Sequence, residues 1–130
     1  MKYLLDTNTV SFAIRGIGAV GDRLLATDPS TVAISAVTEA ELWYGVRKLG
    51  STRLRRAVEA VLASMNVLPV TSSVAREFGE LRVWLEAKGR PIGIADTFIG
   101  AHARSEGLTL VTDNVRHFAG IPSLAIENWR

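Results

Sequence analysis

The chain has 130 residues, 48% of them hydrophobic and 22% charged, a balance that suits a packed globule and argues against a disordered chain. It has no cysteine, which excludes a disulfide framework and a thiolate metal site. A net charge of +2 at pH 7 leans toward an anionic partner.

Met1–Asp6 holds too few apolar residues for a secretory signal. No apolar run approaches the roughly 20 residues of a membrane span. The expectation is one soluble, cytoplasmic domain over residues 1–130.

Tyr3–Leu5 reads as a short buried strand, and Thr7-Asn8 turns the chain into a helix near Thr9–Arg15. A second helix follows Gly16–Gly18, with Val20, Leu24 and Leu25 on one side, and Pro29 ends it. Val32–Ser35 is the second strand. Helices are expected over Val37–Leu49 and Arg53–Met65, separated by Gly50 as a stop and Ser51 or Thr52 as a cap. Val67–Val70 is the third strand. A long helix capped by Thr71 or Ser72 carries Val74, Phe78, Leu81 and Leu85 at helical spacing and ends at Gly89. The next helix leaves a loop containing Gly89, Pro91 and Gly93, carries Asp96 in its first turn and stops at Gly107. Leu108–Thr112 is the fourth strand, Val115–Phe118 a short helix, and Leu124–Ile126 the candidate fifth strand. Strands separated by helices imply an α/β fold with a parallel sheet covered on both faces.

The acids fall at meaningful places in that order. Asp6 follows the first strand and Asp113 closely follows the fourth, in the similar junctions Leu5-Asp6-Thr7-Asn8 and Val111-Thr112-Asp113-Asn114. Ligands of open parallel sheets bind beyond the carboxyl ends of the strands. Thr7, Asn8, Thr112 and Asn114 either orient these carboxylates or simply make turns. Asp96 shares a helix side with Gly100 and Ala103, small residues that permit close packing. On the helix after the second strand, Glu39 and Glu41 point about 160° apart, so only one can face a given site, and periodicity does not choose between them.

Converging carboxylates repel one another and raise some of their pKa values, a conflict that a divalent cation relieves. Oxygen ligands without cysteine or paired histidines suit Mg²⁺ or Mn²⁺ rather than zinc. His102, in an alanine-rich helix, reads as a packing or hydrogen-bonding residue, and His117 as a weaker candidate for substrate contact.

Five segments in order then carry a resemblance: Leu4–Asn8, Ser35 through Glu41-Leu42 to Gly45, Gly89–Gly93 to Asp96, Val111–Asn114 with Arg116-His117-Phe118, and Ile121-Pro122 to Glu127-Asn128-Trp129. The sequence resembles the PIN-domain ribonucleases, specifically the VapC toxins of prokaryotic toxin–antitoxin pairs, over nearly the whole chain. The resemblance implies a three-layer α/β/α sandwich with a central, mostly parallel sheet. It implies Mg²⁺- or Mn²⁺-dependent hydrolysis of RNA that leaves a 5′-phosphate, with Asp6, Glu41, Asp96 and Asp113 matching the acidic positions. Asp113 is the softest match, since the family varies between Asp and Asn there, and Asn114 is an alternative. On this reading Asp6 and Asp96 hold a cation, while Glu41 and Asp113 hold a second or orient the attacking water.

Arg47, Lys48, Arg53, Arg55 and Arg56 lie in an acid-free segment that joins two helices and offers phosphate contacts, or a plain solvated surface. Trp43, Tyr44 and Trp84 suit base stacking or packing. The implied partners are RNA, a VapB-type antitoxin whose C-terminal segment covers the acidic cleft, and a second copy of the chain in a homodimer. The alternative is a PIN-like module that binds RNA or protein without cutting. A phosphotransfer domain fits poorly, because the first strand lacks an acidic pair and no lysine follows the late strand.

Overall fold

The computed structural model describes residues 1–130. Five strands form one parallel sheet in the order β3-β2-β1-β4-β5, where β1 is Tyr3–Leu5, β2 Val32–Ser35, β3 Asn66–Leu68, β4 Thr109–Val111 and β5 Ile126–Glu127. The helices are α1 Thr7–Arg15, α2 Val20–Leu25, α3 Ala36–Leu49, α4 Thr52–Ser64, α5 Ser72–Ala87, α6 Ile94–Glu106 and α7 Val115–Phe118. This is the expected α/β/α sandwich, with every strand pairing parallel.

The strands are short and mostly apolar because both faces are covered. Successive side chains alternate between faces: Leu4, Ala33 and Leu110 enter one core, while Leu5, Ile34 and Val111 enter the other. The first core is closed by Leu81 and Leu85 of α5, Ile99 and Ala103 of α6, and Phe118. The second is closed by Val10 and Phe12 of α1, Leu42 and Val46 of α3, Val58 of α4, and Trp129. Trp129 is 3% exposed and meets Tyr3 edge-on at 4.9 Å, fixing the end of the chain against β1. No helix is long and apolar enough to cross a membrane.

Several boundaries differ from the sequence reading, each for a local reason. Helix α1 starts at Thr7 because Asp6 already caps it. Pro29 does not merely end a helix; it opens a 3₁₀ turn over Pro29–Thr31, capped by Asp28. Strand β3 begins at Asn66, whose side-chain amide donates to the Val32 carbonyl, and stops before Pro69. Strand β5 lies later than Leu124 because its pairing with Leu110 and Val111 selects Ile126 and Glu127.

The topology determines where a site forms. The chain passes from β1 to β2 on one side, while β4 joins β1 on the other, so the order reverses beside β1. Leu5 is in register with Ile34 and Val111, which aligns the carboxyl ends of the three central strands.

Candidate active site

Asp6 stands at that reversal. Its N–H donates to the Val111 carbonyl at 3.0 Å, continuing the β1–β4 pairing by one residue. Its side chain then accepts the Thr9 N–H at 2.9 Å and so caps α1. The residue is only 4% exposed. Burial raises its carboxyl pKa above the ordinary value; hydrogen bonds from Thr112 and Thr9 offset this in part, and the nearby Asp96 charge adds to the rise.

Glu41 reaches the same edge from α3. Ser35 ends β2 and caps that helix through the Val37 N–H, at 3.0 Å. The Thr7 hydroxyl donates to Glu41 Oε1 and lies 3.3 Å from the Thr38 hydroxyl. Glu39 points elsewhere and accepts the Trp43 indole N–H at 3.2 Å. Glu41 thus sits beside the residue that follows Asp6, whereas Glu39 bonds one turn along its own helix.

Asp96 enters through the first turn of α6. Gly93 provides no capping side chain; its carbonyl instead accepts the Thr97 N–H at 2.9 Å and the Thr97 hydroxyl at 2.8 Å. Asp96 is half-buried, and its Oδ2 lies 3.5 Å from His117 Nδ1. One turn later Gly100 is buried against Phe118, and Ala103 is fully buried, as the small-residue side of this helix implies.

Asp113 lies between β4 and α7. Thr112 is buried, and its hydroxyl accepts the Asn114 N–H at 3.0 Å, shaping the turn that presents Asp113. Asp113 Oδ2 is 3.4 Å from an Arg130 guanidinium nitrogen. The Asn114 amide nitrogen lies 2.8 Å from His117 Nδ1. Of the four supporting residues, Thr7, Thr112 and Asn114 contact the acids or shape their turns, whereas Asn8 is exposed and makes no side-chain hydrogen bond.

The four acids share one edge but are not drawn into a closed cage: no three acids or histidines are grouped closely enough to hold an ion as they stand. Each has a partner of its own, a hydroxyl, an imidazole or a guanidinium. The donor set is nonetheless made of hard oxygens, the chemistry that Mg²⁺ and Mn²⁺ select. Asp6 carries the strain such an ion would relieve, since it is desolvated and faces the Asp96 charge.

His102 is fully buried, with Nδ1 2.8 Å from the Ser35 hydroxyl and Nε2 without a partner. Burial lowers its pKa, so it is neutral at pH 7 and ties α6 to the cap of α3. It is the packing and hydrogen-bonding residue expected. Arg47, Lys48, Arg53, Arg55 and Arg56 are all exposed around the α3–α4 turn and pair with none of the four acids; Arg55 meets Glu59 at 3.9 Å. Tyr44 is 65% exposed, while Trp43 and Trp84 are half-buried. The contacts of His117 with Asp96 and of Arg130 with Asp113 were not evident from spacing. The Arg116-His117-Phe118 run gave a faint signal for the first, and nothing in the sequence signalled the second.

The sequence matches the PIN domain family over residues 3–122. It is 37% identical over 130 residues to the tRNA(fMet)-specific endonuclease VapC of Salmonella typhimurium, covering 99% of this chain and 98% of that protein. It is 36% identical over 132 residues to ribonuclease VapC2 of Rickettsia felis, with the same coverages. The fold superposes on DNA-bound VapBC from Salmonella typhimurium with a TM-score of 0.89 and 36% identity, covering 100% of this chain and 99% of that one. An acidic edge at the strand-order reversal of a parallel sheet, in a sequence aligned end to end with these ribonucleases, has one reading: the chain belongs to the PIN-domain family, in its VapC ribonuclease branch.

Proposed function

We propose that this chain is the toxin of a toxin–antitoxin pair, a divalent-metal-dependent endoribonuclease of the cytoplasm that stops growth by cutting RNA needed for translation. One observation carries the catalytic reading: a carboxylate buried at the end of the central strand, Asp6, has no cationic partner and feels the charge of a second acid, Asp96, on the same edge. A fold tolerates that arrangement where a cation is to be held.

Asp6 and Asp96 would hold Mg²⁺ or Mn²⁺, with Glu41 and Asp113 completing the set. When bound, such an ion neutralises phosphate charge and lowers the pKa of water. The chain supplies the rest. The Thr9 N–H fixes the Asp6 carboxylate. The Thr7 hydroxyl fixes one oxygen of Glu41, leaving the other free to accept a proton from attacking water. The turn at Thr112 orients Asp113. The basic residues from Arg47 to Arg56 offer sequence-independent phosphate contacts. Transfer RNA is the first substrate to test, since a close relative is named a tRNA(fMet)-specific endonuclease.

Besides the acidic cleft, a second, apolar seat is proposed for the antitoxin. An apolar groove of about 630 Å³ runs between α1, α2 and α4, lined by Ala13, Ile14, Leu24, Leu25, Val61 and Met65, with Leu25 89% exposed. Relatives were solved as VapBC complexes, so the occupant proposed is an apolar segment of such an antitoxin. A homodimer is the proposed assembly of the toxin itself.

The test is cleavage of a transfer RNA mixture and defined RNA oligonucleotides by purified protein. Activity is expected with Mg²⁺ or Mn²⁺, absent in a chelator and restored by either ion, leaving 5′-phosphate ends. Full cleavage in EDTA, or 2′,3′-cyclic phosphate products, would overturn the metal-dependent mechanism. RNA that binds but is never cut would support the binding-module alternative.

A further inference from the structure

Arg130 is held more firmly than an exposed arginine usually is. Its N–H donates to Asn128 Oδ1 at 2.9 Å, and its carbonyl accepts the Ala19 N–H at 3.4 Å. Gly18, at φ +66°, permits that approach: a Cβ there would lie 2.9 Å from Arg130 Cγ and 3.1 Å from its carbonyl oxygen. The preceding Trp129 is buried. The guanidinium lies 4.6 Å from the Phe12 ring centroid, a cation–π distance. From this seat one nitrogen comes within 3.4 Å of Asp113 Oδ2, while the side chain stays half-exposed.

An exposed ion pair of this length contributes little stability. Arginine has five N–H donors, and this contact engages one of its nitrogens. A fixed cation with donors to spare therefore stands beside Asp113, on an edge whose carboxylates would otherwise repel an entering phosphate. We propose that Arg130 is a substrate-positioning residue: its guanidinium, anchored on Phe12 and turned by Asp113, binds a phosphate oxygen of RNA at the acidic edge. The inference rests on the ribonuclease reading and adds to it a phosphate contact outside the basic α3–α4 run.

The experiment compares the parent, Arg130→Gln, Arg130→Lys and, as a control on the exposed face of α5, Arg82→Gln. Affinity for a fluorescent single-stranded RNA is measured in EDTA by anisotropy across a salt series, and cleavage kinetics with Mn²⁺. Arg130→Gln is expected to weaken binding by about three- to tenfold. It should flatten the plot of log affinity against log salt by about 0.7, the share of one phosphate on a single strand. KM should rise more than kcat falls. Arg130→Lys should recover the slope but only part of the affinity, because lysine lacks the fork, and Arg82→Gln should match the parent. Parent-like affinity and salt slope in Arg130→Gln, or a lower melting temperature with no change in slope, would overturn the inference and leave the residue as a tail anchor. A parent that neither binds nor cuts RNA would overturn the ribonuclease reading itself.

Discussion

Replacing Gly100 by alanine places a methyl group where Phe118 must give by a few tenths of an ångström to admit it. The new Cβ would lie 3.1 Å from Phe118 Cε1, 3.3 Å from Phe118 Cδ1 and 3.5 Å from Leu81 Cδ2. Phe118 is 1% exposed and Leu81 0%, so neither can yield toward solvent. Two effects oppose each other. Alanine gains roughly 1 kcal/mol over glycine in a helix interior. Overpacking a closed core costs about 1–3 kcal/mol. Gly79 supplies the control: it lies within α5, is exposed, and an added Cβ there meets nothing within 4 Å. Gly79→Ala should be stabilised by up to about 1 kcal/mol, and Gly100→Ala destabilised by up to about 2. The difference between them isolates the packing cost at roughly 1–3 kcal/mol, readable as a shift in urea midpoint at constant slope. Function should suffer as well, because Gly100 lies one turn beyond Asp96 and Phe118 follows His117, which stands 3.5 Å from Asp96. Wedging α6 from α7 should lower cleavage per folded molecule. Equal stabilisation of both variants would refute the close-packing account of this helix.

Three further outcomes are expected. Burial raises the Asp6 pKa, so its contribution to stability is full below the unfolded value near 3.8 and is lost as pH rises through the folded value; in metal-free protein the melting temperature of Asp6→Asn minus that of the parent should be more positive at pH 7 than at pH 4, and a difference independent of pH would contradict the assignment. Glu41→Gln should lose most metal-dependent cleavage while Glu39→Gln cuts nearly as the parent does, because the fold brings Glu41 to Thr7 while Glu39 bonds Trp43 one turn along its own helix; equal activities would place the wrong face of α3 at the site. Replacing Arg53, Arg55 and Arg56 together by Gln should weaken RNA binding and reduce its salt slope by about 2 if all three track phosphates, since a single strand loses about 0.7 per contact; an unchanged slope would assign them to solubility or antitoxin contact.

Where a residue's own chemistry decides a boundary, the sequence was legible. Strand β2 and helix α7 fall where expected, and the left-handed glycines at Gly50 and Gly107 end α3 and α6 as their lack of a Cβ permits. Where a neighbour decides, it was less so. Strand β5 is selected by pairing with β4, and Leu124, which looked like strand, packs against the core instead. The acids show the same division. Asp6, Asp96 and Asp113 could be placed at strand ends and a helix start from order alone, because a parallel sheet directs all its strand ends to one edge. The choice between Glu39 and Glu41 depends on Thr7 and Trp43, and the Arg130–Asp113 contact on how the chain's end folds back over Gly18. The i, i+4 spacing of Glu39 and Trp43 is visible in the sequence, but periodicity carries no information about the Thr7–Glu41 or Arg130–Asp113 contacts.

If the acids of this edge cut RNA through a divalent cation, Asp96→Asn should remove that activity and leave the fold intact. The side chain keeps its size and can still accept a hydrogen bond, but loses the charge. The measurement is single-turnover cleavage of one RNA with Mn²⁺ by parent and variant, with folding of both checked by melting. The expected result is a folded variant whose cleavage falls at least about 100-fold, together with a smaller rise in melting temperature on adding Mn²⁺. If Asp96 is only a helix-start acid, the variant should lose a few tenths to about 1 kcal/mol of stability and cut normally. Parent-like turnover in the folded variant would show that these acids do not cut RNA through a bound cation.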